Sequence, residues 1–203
     1  MGGEGEDAMR EITARMQTVG SDFGQVSIGA DHVHVQAIGG TDAFVSPDGQ
    51  TAIDRLPGAR LALPDGPCAL SVHVEPVLAA TYDAGALMLR TDQGKWAKLA
   101  FELSPQGRRT AVSVVTNDCS DDASGPTFPS DGLFLRIYRW QNLTAFHISE
   151  DGQTWDLLRL FRLNGEATTI DLIAQSPTGK GCEARFTQLR LVEGVIVDLR
   201  DGS

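Results

Sequence analysis

The sequence predicts an all-β protein, two antiparallel sheets packed as a sandwich or jelly roll, with one short helix near the N-terminus. Three observations predict it. From Gln25 onward apolar residues recur at every second position, as in Val26/Ile28, Val33/Val35, Leu70/Val72/Val74 and Leu133/Leu135/Ile137, the pattern of strands with one buried face. Turn-forming clusters, SPDGQ, LPDGP, SPQGR, SEDGQ and SPTGKG, interrupt these runs at short intervals. No helical periodicity lies between consecutive strands, so the crossovers of an α/β sheet are missing.

Taken in order, Met9, Ile12, Met16 and Val19 recur at three to four residues within Glu4–Val19, behind acidic residues, which predicts an amphipathic helix. This helix is expected either to pack on the sandwich or to mediate self-association. Strands are expected near residues 25–29, 32–38, 42–46, 68–76, 83–91, 95–103, 110–116, 133–140, 143–149, 156–162, 168–175 and 183–192. The polar segment from Asn117 to Asp131 is expected to be a functional or mobile loop. Residues 1–24 are thus read as an extension, 25–192 as the sandwich and 193–203 as a tail.

A chain of 203 residues suffices for one undivided β domain. Seventeen basic against 27 acidic residues give a formal charge of −10, which opposes nucleic acid and anionic membranes as partners. The N-terminus has neither the basic segment nor the apolar block of a leader, and no apolar run approaches a membrane span, so a cytoplasmic protein is expected. Cys68, Cys119 and Cys182 follow no metal or redox spacing and are read as thiols.

Read in order, Tyr82-Asp83-Ala84-Gly85, Trp96-Ala97-Lys98-Leu99, Val112-Ser113-Val114-Val115-Thr116, Ser149-Glu150-Asp151-Gly152 with Trp155, and Ala174-Gln175-Ser176-Pro177 resemble the "regulation of enolase protein 1-like" family, the domain of unknown function 1349. That family falls within the concanavalin A-like lectin and glucanase superfamily, and the resemblance spans roughly residues 41–191. It implies a concanavalin A-like jelly roll whose concave face binds sugars in relatives. It implies no established activity. The E-x-D-x-x-E strand motif of the retaining glucanases is absent from this sequence.

Alternation places Trp96, Lys98 and Glu102 on one strand face, opposite Leu99 and Phe101. Likewise Arg136, Tyr138 and Trp140 oppose Leu133, Leu135 and Ile137, and His147 opposes Phe146 and Ile148. Such outward residues either line a polar groove or lie against solvent, a loop or another subunit. Aromatic bodies with donors and acceptors suit a polar ligand, so Arg136, Tyr138, Trp96, Trp140 and Gln175, at a strand end, are the candidate ligand-binding residues. His147, Glu102 and Lys98 are the candidate catalytic residues, since His147 titrates near neutrality and Glu102 supplies a carboxyl group.

His32 and His34 alternate onto one face, but the following Gln36-Ala37-Ile38-Gly39 lacks the glutamate a metal site of that type needs. Asp118, Asp121 and Asp122 lack calcium-loop spacing. Neither metal nor cofactor is therefore expected, and Ser149–Trp155 reads as a hairpin turn. The leading reading is a cytoplasmic lectin-like protein that binds a carbohydrate or other polar small molecule in its concave groove. A cofactor-independent isomerase, lyase or cyclase in the same groove, and a non-catalytic interaction domain, stay open beside it.

Overall fold

A computed structural model describes residues 3–203, with side chains from residue 7 onward, so the first two residues of the expected N-terminal extension lie outside it. Helix α1, Gly3–Thr13, is shorter than the periodicity suggests. The Thr13 hydroxyl donates to the Arg10 carbonyl at 3.2 Å, and the chain then turns into a short strand, β1 (Gln17–Val19). Met9, Ile12 and Met16 are buried in the main core nonetheless. The apolar spacing therefore locates the buried face correctly while overextending the helix.

The remaining strands are β2 (Gly24–Ile28), β3 (Val33–Ile38), β4 (Asp42–Val45), β5 (Ala52–Arg55), β6 (Gly58–Ala62), β7 (Cys68–Pro76), β8 (Ala84–Thr91), β9 (Trp96–Leu103), β10 (Arg109–Thr116), β11 (Ser120–Thr127), β12 (Leu133–Trp140), β13 (Leu143–Ser149), β14 (Asp156–Arg162), β15 (Ala167–Gln175) and β16 (Gly181–Glu193). They form two seven-stranded sheets. Sheet A runs β1-β6-β15-β8-β9-β10-β11 and sheet B runs β14-β13-β12-β7-β16-β3-β2, while β4 and β5 make a separate hairpin. The all-β sandwich with one helix is thus the observed architecture, and every strand pairing is antiparallel.

Between the sheets, Leu87, Leu89, Leu99, Phe101 and Leu172 from sheet A meet Leu70, Val72, Leu135, Ile137, Phe146 and Phe186 from sheet B in one continuous core. These are the apolar sets of the period-two pattern, and their burial drives the two sheets together. The alternate residues of each strand then face outward.

The segment expected as a loop, Asn117–Asp131, contains edge strand β11, whose Ser120 pairs with Thr116 and whose Asp122 pairs with Val114. Nothing in SDDASGPT alternates in hydropathy, because both faces of this edge strand are largely exposed; its acidic residues keep the edge from pairing with another chain. At Ser149–Trp155 the hairpin reading holds in detail. Asp151 Oδ1 accepts from the Ser149 hydroxyl and from the amides of Gln153 and Thr154, which lowers the Asp151 carboxyl below its usual range.

Candidate functional site

On the outer face of sheet A, alternation along β9 aligns Trp96, Lys98, Ala100 and Glu102. Lys98 stands between Met88 of β8 and Val114 of β10, and Glu102 between Ala84 and Thr110. Gln175, at the end of β15, pairs with Ala84, so it shares this face two strands from Glu102. Asp122 of β11, opposite Val114, completes the row from the other edge. The β4–β5 hairpin folds over part of this face and contributes Asp42, Ala43 and Phe44 to a pocket of roughly 640 Å³, whose rim carries Tyr82, Ser104–Gln106, Pro177 and Thr178.

Lys98 is only 3% exposed. Its ammonium donates to Gln175 Oε1 at 2.6 Å, to the Ala43 carbonyl at 3.2 Å and to Asp42 Oδ1 at 3.3 Å. Three acceptors match the three donors of an ammonium, so Lys98 is occupied in holding the hairpin to the sheet. Glu102 differs. Its carboxyl lines the pocket and is pushed up to about 7, chiefly by burial, with Asp42 and Asp122 adding to the rise and Lys98 opposing it. Burial likewise raises the Asp122 carboxyl, against the pull of Lys98. One lysine charge is therefore shared among three carboxyl groups.

Two polar knots set the walls. At one end of the pocket, buried Asp83 accepts from the amides of Ala79 and Ala80 and from the Ser176 hydroxyl at 2.7 Å, while the Ser176 amide donates to Thr41 Oγ1. This ties the loops before β8 and after β15 into one rim. Tyr82, within that rim, has φ of 70°, a left-handed conformation uncommon for a non-glycine residue. Its amide donates to the Leu103 carbonyl at 2.8 Å, its carbonyl accepts from Gln175 Nε2 at 3.1 Å, and its side chain is left 41% exposed. Backbone strain held by surrounding bonds at a pocket mouth is characteristic of functional sites.

At the far end of the face, Asp171 is 1% exposed and accepts from both Arg60 and Arg90. Arg90 also reaches Asp54 of β5 with a two-pronged contact at 2.7 and 2.8 Å. The hairpin is thereby fastened to sheet A at its open end through both of its strands, β4 by Lys98 and β5 by Arg90.

Of the sequence candidates, the structure gathers Lys98, Glu102 and Gln175 in this pocket. Trp96 shares their face, but it is buried in an apolar cluster with Ala43, Met88 and Val114 and does not line the cavity. The expected convergence of Arg136, Tyr138, Trp140 and His147 on the same groove is corrected: they belong to β12 and β13 of sheet B. Alternation correctly turns them away from the core, but each sheet has its own outer face. There the C-terminal residues cover them. Tyr138 and Ala145 cluster with Ile196 and Leu199, and Trp140 lies partly exposed at the end of β12.

His147 is fully buried. Its Nε2 lies 2.8 Å from the Leu199 carbonyl and so carries the donated proton; burial pushes its pKa down to about 4, against the favourable Leu199 bond. The imidazole therefore stays neutral and cannot partner Glu102 across the sandwich. Conversely, the sequence reading assigns neither Asp42 nor Tyr82 to a site, and weighs Asp122 only as a calcium ligand. The packing of β4 brings Asp42 to Lys98 and the pairing of β11 brings Asp122 onto the same face, while Tyr82, which with Asp83 already stands out among the motif residues, is held at the pocket by Gln175 and Leu103. Among the described residues no three His, Cys, Asp or Glu side chains gather as a metal site; His32 pairs with Asp31 and His34 with Glu183.

Residues 24–193 match the model of the family described as "Protein of unknown function (DUF1349)". The chain belongs to this family. Over 122 residues, 59% of the chain, it is 32% identical to "Regulation of enolase protein 1" of Saccharomyces cerevisiae, spanning 61% of that protein's length. A crystal structure of a functionally unknown protein from Saccharomyces cerevisiae superposes with a TM-score of 0.78 at 22% identity, covering 90% of this chain and 98% of that one. Two more distant structures share the sandwich alone. The GH43 protein BlXynB of Bacillus licheniformis has a TM-score of 0.64 at 11% identity, over 89% of this chain and 39% of that one. An alginate lyase of Klebsiella pneumoniae has a TM-score of 0.56 at 12% identity, over 86% and 85%. Among the described residues no helix is long and apolar enough to cross a membrane.

Proposed function

We propose that this DUF1349 protein binds a neutral carbohydrate, or a similarly polyhydroxylated small molecule, in the pocket on the outer face of sheet A. The observation that carries this reading is the composition of the pocket: open carboxyl groups at Glu102 and Asp122 on the floor and the half-exposed ring of Tyr82 at the mouth. Carboxyl oxygens accept from hydroxyl groups, and a flat ring stacks on the apolar face of a sugar, the division of labour expected of a small polar-ligand site. Three carboxyl groups against one lysine disfavour uronates and other anionic sugars. The GH43 sandwich among the structural neighbours is consistent with a carbohydrate ligand.

Calorimetry and thermal shift with neutral xylo- and gluco-oligosaccharides, beside uronate oligosaccharides, test the proposal. Neutral sugars should bind and raise the melting temperature by mass action, and Tyr82→Ala or Asp122→Ala should weaken them about tenfold. No binding of any neutral sugar, or full affinity in both variants, would sink the reading.

One observation favours a second reading, a cofactor-independent enzyme. A carboxyl group with a pKa of about 7 suits proton transfer at neutral pH. Under this reading Glu102→Gln keeps ligand affinity and loses turnover, whereas a pure binding protein shows no turnover to lose.

A further inference from the structure

On the other side of the molecule, the outer face of sheet B carries a row of donors that the carbohydrate pocket does not use. The strand registers place Arg136 of β12, Ser71 of β7 and Arg190 of β16 directly beside one another. Two guanidinium groups thus lie two strands apart, about 10 Å between their backbones by sheet geometry, with a serine hydroxyl between them. Over this row the segment Gly194–Ser203 folds back on a cavity of roughly 340 Å³, lined by Ser71, Arg136, Trp155 and Arg190 together with Glu193 and Ser203.

Arg136 is the unusual member. It is 9% exposed, its guanidinium carbon lies 4.2 Å from the centre of the Trp155 ring, and no carboxylate pairs with it among the described residues. Both Nε and Nη2 are buried without a hydrogen-bond partner. Burial lowers its pKa to about 10, which still leaves it charged at neutral pH. Gly202 of the covering segment sits against Nη2, so close that a Cβ there would collide with it, yet its carbonyl takes no hydrogen bond from the guanidinium. A buried guanidinium edge with unused donors is costly and calls for an occupant.

The unused atoms indicate what that occupant is. Nε and Nη2 form the edge of a guanidinium that grips two oxygens at once. This protein already uses the same edge elsewhere: Arg60 donates from Nε and Nη2 to the two oxygens of Asp171 at 2.7 Å each. We propose that Arg136, with Ser71 and Arg190, forms an oxyanion site that takes a phosphate or carboxylate group of a small molecule, with Trp155 stacked behind the guanidinium and the C-terminal segment as its cover. In a chain of formal charge −10, a buried arginine beside an exposed one is a local exception to a surface that repels anions. The site is independent of the sheet A pocket, and its success or failure leaves the carbohydrate reading untouched.

Titration of the intact protein with inorganic phosphate and, separately, with malonate tests the proposal, read by calorimetry and by intrinsic tryptophan fluorescence, to which Trp155 contributes. At least one anion should saturate at one site per chain. Binding of phosphate alone marks the site for a phosphorylated ligand, and binding of malonate alone for an organic acid; either supports it. Arg136→Gln should abolish saturable binding. Arg190→Gln, at an exposed position where folding is not at stake, should weaken it at least fivefold without changing the melting temperature of the free protein. Absence of saturable binding of both anions, or equal affinity in the wild type and Arg190→Gln, overturns the proposal.

Discussion

Lys98 and Gln175, 77 residues apart in sequence, are joined by a buried hydrogen bond of 2.6 Å, ammonium to side-chain carbonyl. The other end of the same amide donates to the Tyr82 carbonyl, so Gln175 couples the charged floor of the pocket to its strained rim. Its orientation is fixed from both sides, because reversing the amide would set a donor against the lysine and an acceptor against a carbonyl.

Lys98→Met should therefore destabilise the protein by about 2–3 kcal/mol, as three buried or half-buried acceptors lose their donor at once. Urea denaturation measures this. The same variant removes the charge that holds Glu102 down, so the Glu102 titration, followed by carboxyl-carbon NMR, should move above its wild-type midpoint of about 7. A midpoint that stays in place would mean that Lys98 does not share its charge with Glu102.

Glu102 and His147 make opposing demands as pH changes. The folded state holds a proton on Glu102 up to about pH 7, whereas the unfolded chain releases it near 4.5, the ordinary value of a glutamate. This contribution is complete below that lower value and is lost as pH rises through 7. His147 runs the other way: with its folded pKa pushed down from 6.5 to about 4, the unfolded chain takes up the proton first, and stability falls as pH drops from 6.5 toward 4. Glu102→Gln should thus be more stable than the wild type at pH 8, and its melting temperature should fall more steeply than the wild type's between pH 6.5 and 4.5. Melting curves across that range check both signs.

Asp171 and Asp54 both bind Arg90, but their burial separates their weights. Asp171→Asn leaves two arginines facing each other across a buried site and should cost about 3 kcal/mol. Asp54 is half exposed, so Asp54→Asn should cost under about 1 kcal/mol. Equal losses on denaturation would mean that the hairpin's attachment, not the buried charge, dominates this network.

Tyr82→Gly separates stability from function. Glycine adopts a φ of 70° without the penalty a side chain meets there, so removal of the ring should leave the melting temperature unchanged or slightly raised, by a gain of about 1 kcal/mol. Affinity for neutral oligosaccharides should fall with the lost stacking surface. A melting temperature well below the wild type's would place Tyr82 among the structural residues instead.

The legibility of the fold follows from burial. Strands such as Cys68–Pro76 and Leu133–Trp140 could be read to the residue, because one face of each must be apolar wherever sheets pack. Strand β11 could not, since an edge strand with two exposed faces has no reason to alternate. At the site, alternation along β9 showed that Lys98 and Glu102 leave the core together. It gave equal weight to Arg136, Tyr138 and His147.

The sequence by itself determined that this is a two-sheet antiparallel sandwich, which residues fill its core, and to which family it belongs, because period-two hydropathy and ordered turn motifs are local signals. Which outward residues meet depends on how the strands pair. Pairing across β15, β8, β9, β10 and β11 assembled Gln175, Lys98, Glu102 and Asp122 on one face, and the packing of the β4–β5 hairpin added Asp42. The same pairing set His147 and Arg136 on the opposite sheet beneath residues 194–203. The reason is physical: alternation fixes the side of a strand on which a residue lies, but membership of a sheet is set by hydrogen bonds between strands distant in sequence.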